Sequence, residues 1–206
     1  MTLDLFEASN ELEPLKISDA DLYILRYLPL NQPPQVILRT LIDTVPWRHE
    51  NVVVWGRTFE QPRLIAWYGD EGQNYSYSGI SLAPLPWTDL LLDIKSNVEG
   101  KIGTTFNSVL LNYYRNNNDS MGFHSDDECE LGPFPTIASL SLGETRTLVL
   151  KHRAATMQKP VRLRLPSNSL LLMKGRTQKN WRHGIDKETK PCGPRVNLTF
   201  RQIKIF

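Results

Sequence analysis

His124-Ser125-Asp126 is the stretch of this 206-residue chain best equipped for metal chemistry. In an extended segment residues i and i+2 point the same way. His124 and Asp126 could therefore reach one ion side by side. A third donor is needed, and His183, in Trp181-Arg182-His183-Gly184, is the best candidate. Two histidines and one carboxylate, with positions left open, suit a non-haem Fe(II) oxygenase. An ordinary surface triplet is the alternative. Of the other histidines, neither His49 nor His152 sits beside a carboxylate at ligand spacing, and Lys151-His152-Arg153 reads as surface or phosphate-facing.

A second set lies in Arg195-Val196-Asn197-Leu198-Thr199-Phe200-Arg201. Its period of two puts Val196, Leu198 and Phe200 on one face and Arg195, Asn197, Thr199 and Arg201 on the other. The polar face either meets water or lines a pocket. Arginine stays charged and grips carboxylates bidentately, so such a pocket would suit a small dianion. Asn112 and Tyr114 also share a face, and both can donate hydrogen bonds. A dianion beside Fe(II) is what a 2-oxoglutarate-dependent oxygenase requires.

The rest of the chain must position these groups. It is long enough for one domain with a sizeable core, and its 40% hydrophobic and 22% charged residues are ordinary for a globular protein. No apolar run reaches membrane-spanning length. The start shows no basic stretch followed by an apolar one, so no signal peptide is expected. Cys129 and Cys192 make neither a disulfide framework nor a zinc spacing, which fits a reducing compartment. Cys129, close to the proposed ligands, is expected to be oxidation-sensitive. The net charge is +2, but residues 1–15 carry Asp4, Glu7, Glu11 and Glu13 and no base. The remainder therefore holds about +6, which favours an anionic partner or simply a solvated surface.

Residues 1–20 read as an acidic, poorly ordered leader, followed by one domain over 21–206. Asp21–Tyr27, Val52–Gly56 and Leu64–Tyr68 read as strands, Val36–Val45 as a helix stopped by Pro46, and Asn74–Gly79 as a polar loop or edge. A second helix is expected to begin at Pro84–Pro86. Trp87, Leu90, Leu91, Ile94 and Val98 give it an amphipathic stripe, and Gly100 is placed to end it. Short strands follow at 108–114, 137–142, 147–151, 161–165, 169–173, 182–185 and 195–205. The fold class is mainly β with flanking helices, a sandwich or double-sheet barrel.

These residues resemble the AlkB family of Fe(II)/2-oxoglutarate dioxygenases. The likeness runs in order through Asn112-x-Tyr114, His124-x-Asp126-Asp127-Glu128, Ile137-Ala138-Ser139-Leu140-Ser141-Leu142-Gly143, His183 and the Arg195–Arg201 strand, over roughly residues 50–206. Val52-x-Val54-Trp55-Gly56, Tyr68-Gly69-Asp70 and Tyr75-x-Tyr77-Ser78-Gly79 bring it nearest the branch containing a double-strand DNA repair enzyme. Asn116-Asn117-Asn118-Asp119 departs from the shorter charged turn of that branch.

The resemblance implies a double-stranded β-helix (jelly roll). It implies His124, Asp126 and His183 as iron ligands, and Asn112, Tyr114, Arg195, Asn197, Thr199 and Arg201 around 2-oxoglutarate. Arg195 would meet the distal carboxylate, and Arg201 would lie nearer the iron. The implied reaction consumes O2 and demethylates 1-methyladenine or 3-methylcytosine in DNA, releasing formaldehyde and succinate. A nucleotide-recognition lid would span about 50–80. There Trp55 is a stacking wedge or a core residue, with Gly56, Arg57, Tyr75, Ser76 and Tyr77 as further substrate contacts. Asp127 and Glu128 could favour cationic methylated bases. Arg57, Arg63, Lys151, Arg153, Lys174, Arg176 and Lys179 are candidate phosphate contacts. The expected setting is a monomer in the bacterial cytoplasm, or the nucleus of a eukaryote, neither secreted nor membrane-bound. The alternatives are an oxygenase of the same type on RNA or a non-nucleic-acid substrate, and a non-catalytic nucleic-acid-binding jelly roll.

Overall fold

A computed structural model describes residues 11–54, 57–72, 75–77, 80–82, 84–154 and 159–204. In chain order these form β1 (Glu13–Leu15), β2 (Asp21–Leu25), α1 (Pro34–Thr44), β3 (Asn51–Val54), β4 (Arg57–Glu60), β5 (Leu64–Gly69), β6 (Tyr75–Tyr77), β7 (Ile80–Leu82) and α2 (Asp89–Ile102). Then come β8 (Ser108–Tyr114), β9 (Met121–His124), β10 (Ile137–Gly143), β11 (Arg146–His152), β12 (Val161–Leu165), β13 (Leu170–Lys174), α3 (Thr177–Asn180), β14 (Trp181–Ile185) and β15 (Arg195–Arg201).

Two antiparallel sheets face each other as a double-stranded β-helix. The major sheet runs β1-β2-β13-β10-β15-β8-β5 and the minor sheet β12-β11-β14-β9; β3-β4 and β6-β7 are separate hairpins. Helices α1 and α2 cover the outer face of the major sheet. Ile37, Leu41, Leu91, Ile94 and Val98 meet Val109, Leu111, Leu140, Val196, Leu198 and Phe200 there in one cluster. A second cluster fills the space between the sheets, with Leu148, Leu150, Leu171, Met173, Trp181 and Ile185.

Strand β15 is the hinge of the design. Its two periodic faces are both buried, all seven residues lying out of solvent. The Val196-Leu198-Phe200 face packs under the helices. The Arg195-Asn197-Thr199-Arg201 face therefore points into the interior between the sheets, not to water.

The observed elements differ from expectation in a few places. Part of the stretch read as leader forms β1, which pairs with β2 through Glu13↔Ile24 and Leu15↔Leu22. Helix α2 starts at Asp89, after Thr88 accepts the amide of Leu91 at 3.3 Å as its N-cap. It runs past Gly100 and ends at Gly103, whose φ of 70° supplies the left-handed C-cap. Within the polar stretch Asn74–Gly79 and beyond it, β6 and β7 pair as a hairpin. Strand β9 was not foreseen, and β15 stops at Arg201.

Candidate active site

The minor sheet brings the two histidines together. Strands β9 and β14 pair with His183 directly opposite His124, and the register shifts just beyond, between His183 and Ile185. Gly184 permits that close approach: a Cβ there would meet Met121 O at 2.9 Å and Phe123 Cδ1 at 3.3 Å. Strand β9 ends at His124, so no ladder carries Asp126. Its amide donates instead to Gln178 Oε1 at 3.0 Å, and Gln178 is fixed on the short α3. Asp126 thus faces both rings, with His124 Nε2 at 3.9 Å from Oδ1 and His183 Nε2 at 3.7 Å from Oδ2. The three donor atoms lie within 4.8 Å of one another, and among the described residues no other group of this kind occurs.

The electrostatics suit a divalent ion. Asp126 is 1% exposed. Burial alone would raise its pKa, but Arg201, His183 and His124 outweigh that and hold the carboxyl below the usual carboxylate range. Arg201 Nη2 donates to Asp126 Oδ1 at 2.6 Å. His183 is pushed down to about 3, mainly by burial, with His124 and Arg201 adding to the effect and Asp126 opposing it. It therefore stays neutral with its lone pair free. His124 Nδ1 lies 3.0 Å from Gly122 O; an N–H at that position leaves Nε2 for a metal. Two imidazoles and one carboxylate with open positions fit Fe(II).

Next to this triad is the polar face of β15. Asn197 pairs across to Asn112 on β8 and to Ser141 on β10, and Thr199 pairs to Ser139. All six residues expected around the dianion line one pocket with His124, Asp126 and His183. Arg195 is 1% exposed and, among the described residues, has no carboxylate partner; Nη2 donates to Ser141 Oγ at 2.9 Å, while Nε and Nη1 meet no acceptor there. A buried cation with idle donors is what an anionic ligand would complete. Burial lowers the Arg195 pKa, Tyr114 opposes the shift, and Arg146 reinforces it.

The six do not play equal parts. Asn197 Nδ2 donates to Ser139 Oγ at 2.8 Å and to Leu140 O at 2.9 Å, and its Oδ1 accepts from Thr199 Oγ1 at 3.0 Å. Its amide is fully occupied in holding its neighbours. The ring of Tyr114 lies between two guanidiniums, Arg195 at 5.0 Å and Arg146 at 5.4 Å. Arg146 is itself 1% exposed, and its Nη2 donates to Asp119 O at 2.8 Å and to Asp186 O at 2.7 Å.

Of the expected substrate contacts, Trp55 and Gly56 lie outside the described residues, and of Arg57, Tyr75, Ser76 and Tyr77 only the strand backbone is described. Asp127 is exposed beside the triad and pairs with Arg153 at 2.7 Å; Glu128 is half-buried. Arg63 is misplaced among the phosphate contacts, because it is 3% exposed. Cys129 is exposed, yet its hydrogen bond to Glu130 raises the thiol pKa, which disfavours the reactive thiolate. His49 pairs with Glu60 at 2.7 Å, away from any third ligand. Ser139, Ser141, Gln178, Arg63 and Arg146 were missed. Only the two serines had left a signal, as polar residues at period two in an apolar strand.

The model of the 2OG-Fe(II) oxygenase superfamily matches residues 21–201. The chain belongs to this superfamily. Within it, the chain is 43% identical over 175 residues to human alpha-ketoglutarate-dependent dioxygenase alkB homolog 3, covering 81% of this chain and 60% of the relative. It is 43% identical over 158 residues to human DNA oxidative demethylase ALKBH2, covering 74% of this chain and 60% of the relative. The Arabidopsis thaliana ALKBH2 is 33% identical, over 88% of this chain and 66% of the relative. The chain thus spans about 60% of the length of the human relatives it matches. The solved structure of OsALKBH1 shares the fold, with a TM-score of 0.65 at 16% identity over 93% of this chain and 100% of that one. The superfamily's iron and 2-oxoglutarate fit the two sets of residues just described. Among the described residues no helix is long and apolar enough to cross a membrane.

Proposed function

We propose that this chain oxidatively demethylates N-alkylated bases in DNA, 1-methyladenine and 3-methylcytosine, with Fe(II), 2-oxoglutarate and O2. The observation that carries this is one buried pocket holding both the His-Asp-His triad and Arg195 with its idle donors. Relatives named DNA oxidative demethylases support DNA as the substrate. When bound, iron and 2-oxoglutarate supply the oxidising power, with 2-oxoglutarate decarboxylated to succinate.

This chain's residues supply position and environment. His124, Asp126 and His183 would hold the ion, and Arg201 fixes the Asp126 carboxylate toward it. Arg195, Asn112 and Tyr114 would hold the dianion, and Thr199, its hydroxyl committed to Asn197, would line the pocket beside them. Leu110, Leu171 and Met173 supply the apolar part of the pocket wall. The methyl group sits on a Watson–Crick edge, so a duplex must release the base. Trp55 would fill the gap as an apolar wedge. Gly56, Arg57, Tyr75, Ser76 and Tyr77 would contact the nucleotide from the lid. Asp127 and Glu128 would favour a cationic base over a neutral one. The working form is a monomer, in the cytoplasm or, in a eukaryote, the nucleus.

The test is formaldehyde release from an oligonucleotide carrying 1-methyladenine, single- and double-stranded, with His183→Ala as control. Release that the substitution abolishes supports the proposal, and Trp55→Ala should reduce it selectively on duplex. Succinate without formaldehyde on DNA, but with it on methylated RNA, would move the substrate. Failure to bind either metal or 2-oxoglutarate would leave a binding module.

A further inference from the structure

We propose that Arg63 is a positioning residue that fixes the amide of Asn112, so that the cosubstrate pocket meets its NH2 group and not its carbonyl. This rests on the 2-oxoglutarate reading above. Arg63 Nε donates to Asn112 Oδ1 at 2.6 Å, and the two residues are 3% and 2% exposed. An asparagine amide can present either end, whereas arginine has donors and no acceptor. Only Oδ1 can face Arg63, and Nδ2 is left facing elsewhere. Among the described residues nothing else bonds to this amide, and Asn112 lines the pocket.

The strand register explains why Arg63 reaches this spot. Edge strand β5 pairs with β8 through Leu64↔Tyr113 and Ile65↔Asn112. Arg63, one residue earlier, falls on the same side as Asn112 and Tyr114, the pocket side. The contrast with Asn197, whose amide is saturated by Ser139, Leu140 and Thr199, is instructive. On this wall only Asn112 has an asparagine NH2 left for a ligand, and its orientation depends on a residue outside the pocket. With a neutral side chain at 63, the amide is free to turn its oxygen toward a carboxylate, which is repulsive. The arginine also belongs to the segment joining β4 to β5, so it ties the β3-β4 hairpin's exit to the pocket wall.

The experiment measures 2-oxoglutarate affinity by calorimetry on Mn(II)-loaded protein, for wild type, Arg63→Met, Asn112→Ala and the double variant. Arg63→Met should weaken binding about tenfold, the scale of one hydrogen bond to a charged group. In the Asn112→Ala background the same change should cost less than twofold, because Arg63 acts through that amide. Asn112→Asp is the second arm. It keeps, and strengthens, the link to Arg63 but removes the donors. Its melting temperature should match or exceed wild type, while 2-oxoglutarate binding falls below that of Asn112→Ala. Multiplying effects in the double variant, unchanged binding in Arg63→Met, or full binding in Asn112→Asp would each overturn the proposal. Wild-type protein that binds Mn(II) but no 2-oxoglutarate would overturn the cosubstrate reading, and this inference with it.

Discussion

Replacing Arg201 by Met leaves Asp126 buried but removes the guanidinium that faces it at 2.6 Å. Both side chains are at most 6% exposed, so water cannot substitute. Breaking a buried ion pair by removing one partner costs about 3–5 kcal/mol. For a domain of this size each kcal/mol moves the melting temperature by about 2–4 °C, so the metal-free variant should melt about 6–20 °C lower. A divalent cation on His124, Asp126 and His183 offers the carboxylate a replacement charge. Saturating Mn(II) should therefore recover more than half of the loss, a larger rise than wild type shows. Scanning calorimetry with and without Mn(II) checks both parts, and Arg201→Lys should fall between. If metal-free Arg201→Met melts within 2 °C of wild type, or if Mn(II) leaves the gap unchanged, then Asp126 is not the charge that Arg201 serves.

Three more outcomes follow from the same geometry. In metal-free protein, His183 has a folded pKa of about 3 against an ordinary 6.5, so as pH falls below about 6.5 the unfolded chain takes up a proton that the native state refuses. Stability should fall by about 1.4 kcal/mol per pH unit once the pH is well below 6.5, with Asp126 adding in the same sense lower down; urea unfolding at pH 5.5 and 4.5 should show this slope, and it should flatten in His183→Gln. Gly184→Ala would drive a methyl into Met121 O, now 2.9 Å from that position, and part the strands that pair His183 with His124; Mn(II) affinity should drop about tenfold for an overpacking cost of about 1–3 kcal/mol. Ser141→Ala removes the hydroxyl 2.9 Å from Arg195 Nη2 and should weaken 2-oxoglutarate binding about fivefold by calorimetry, the scale of one hydrogen bond.

The alternation of β15 was plain in the sequence, because period two is a local property. That neither face meets water was not, since that depends on α1 and α2 covering Val196, Leu198 and Phe200 from the outside. His124 and Asp126 could be paired by spacing, yet the structure holds Asp126 through Gln178, 52 positions away. The end of α2 was misjudged by three residues because glycine marks a C-cap only where the backbone turns left-handed, and Gly103 does so where Gly100 does not. Arg63 looked like any surface cation. Its partner stands 49 positions away across a sheet edge, and nothing local marks it as buried. Arg146 was hidden for the same reason, its contacts being backbone carbonyls of distant loops.

The place of β15 in its sheet has a consequence for how the protein is made. It lies between β10 and β8, both of which leave the ribosome earlier. Until β15 arrives, those two strands present open edges toward each other, with largely apolar faces. Such edges invite pairing with other chains. A product stopped anywhere before Arg195 lacks Arg195, Asn197, Thr199 and Arg201 together, and it keeps the gap. Truncation should therefore yield insoluble, inert protein, not a weakened oxygenase. A nascent chain would carry all three metal-binding side chains before any of β15's pocket-lining residues, so ordered growth of the polypeptide keeps the completed pocket for last.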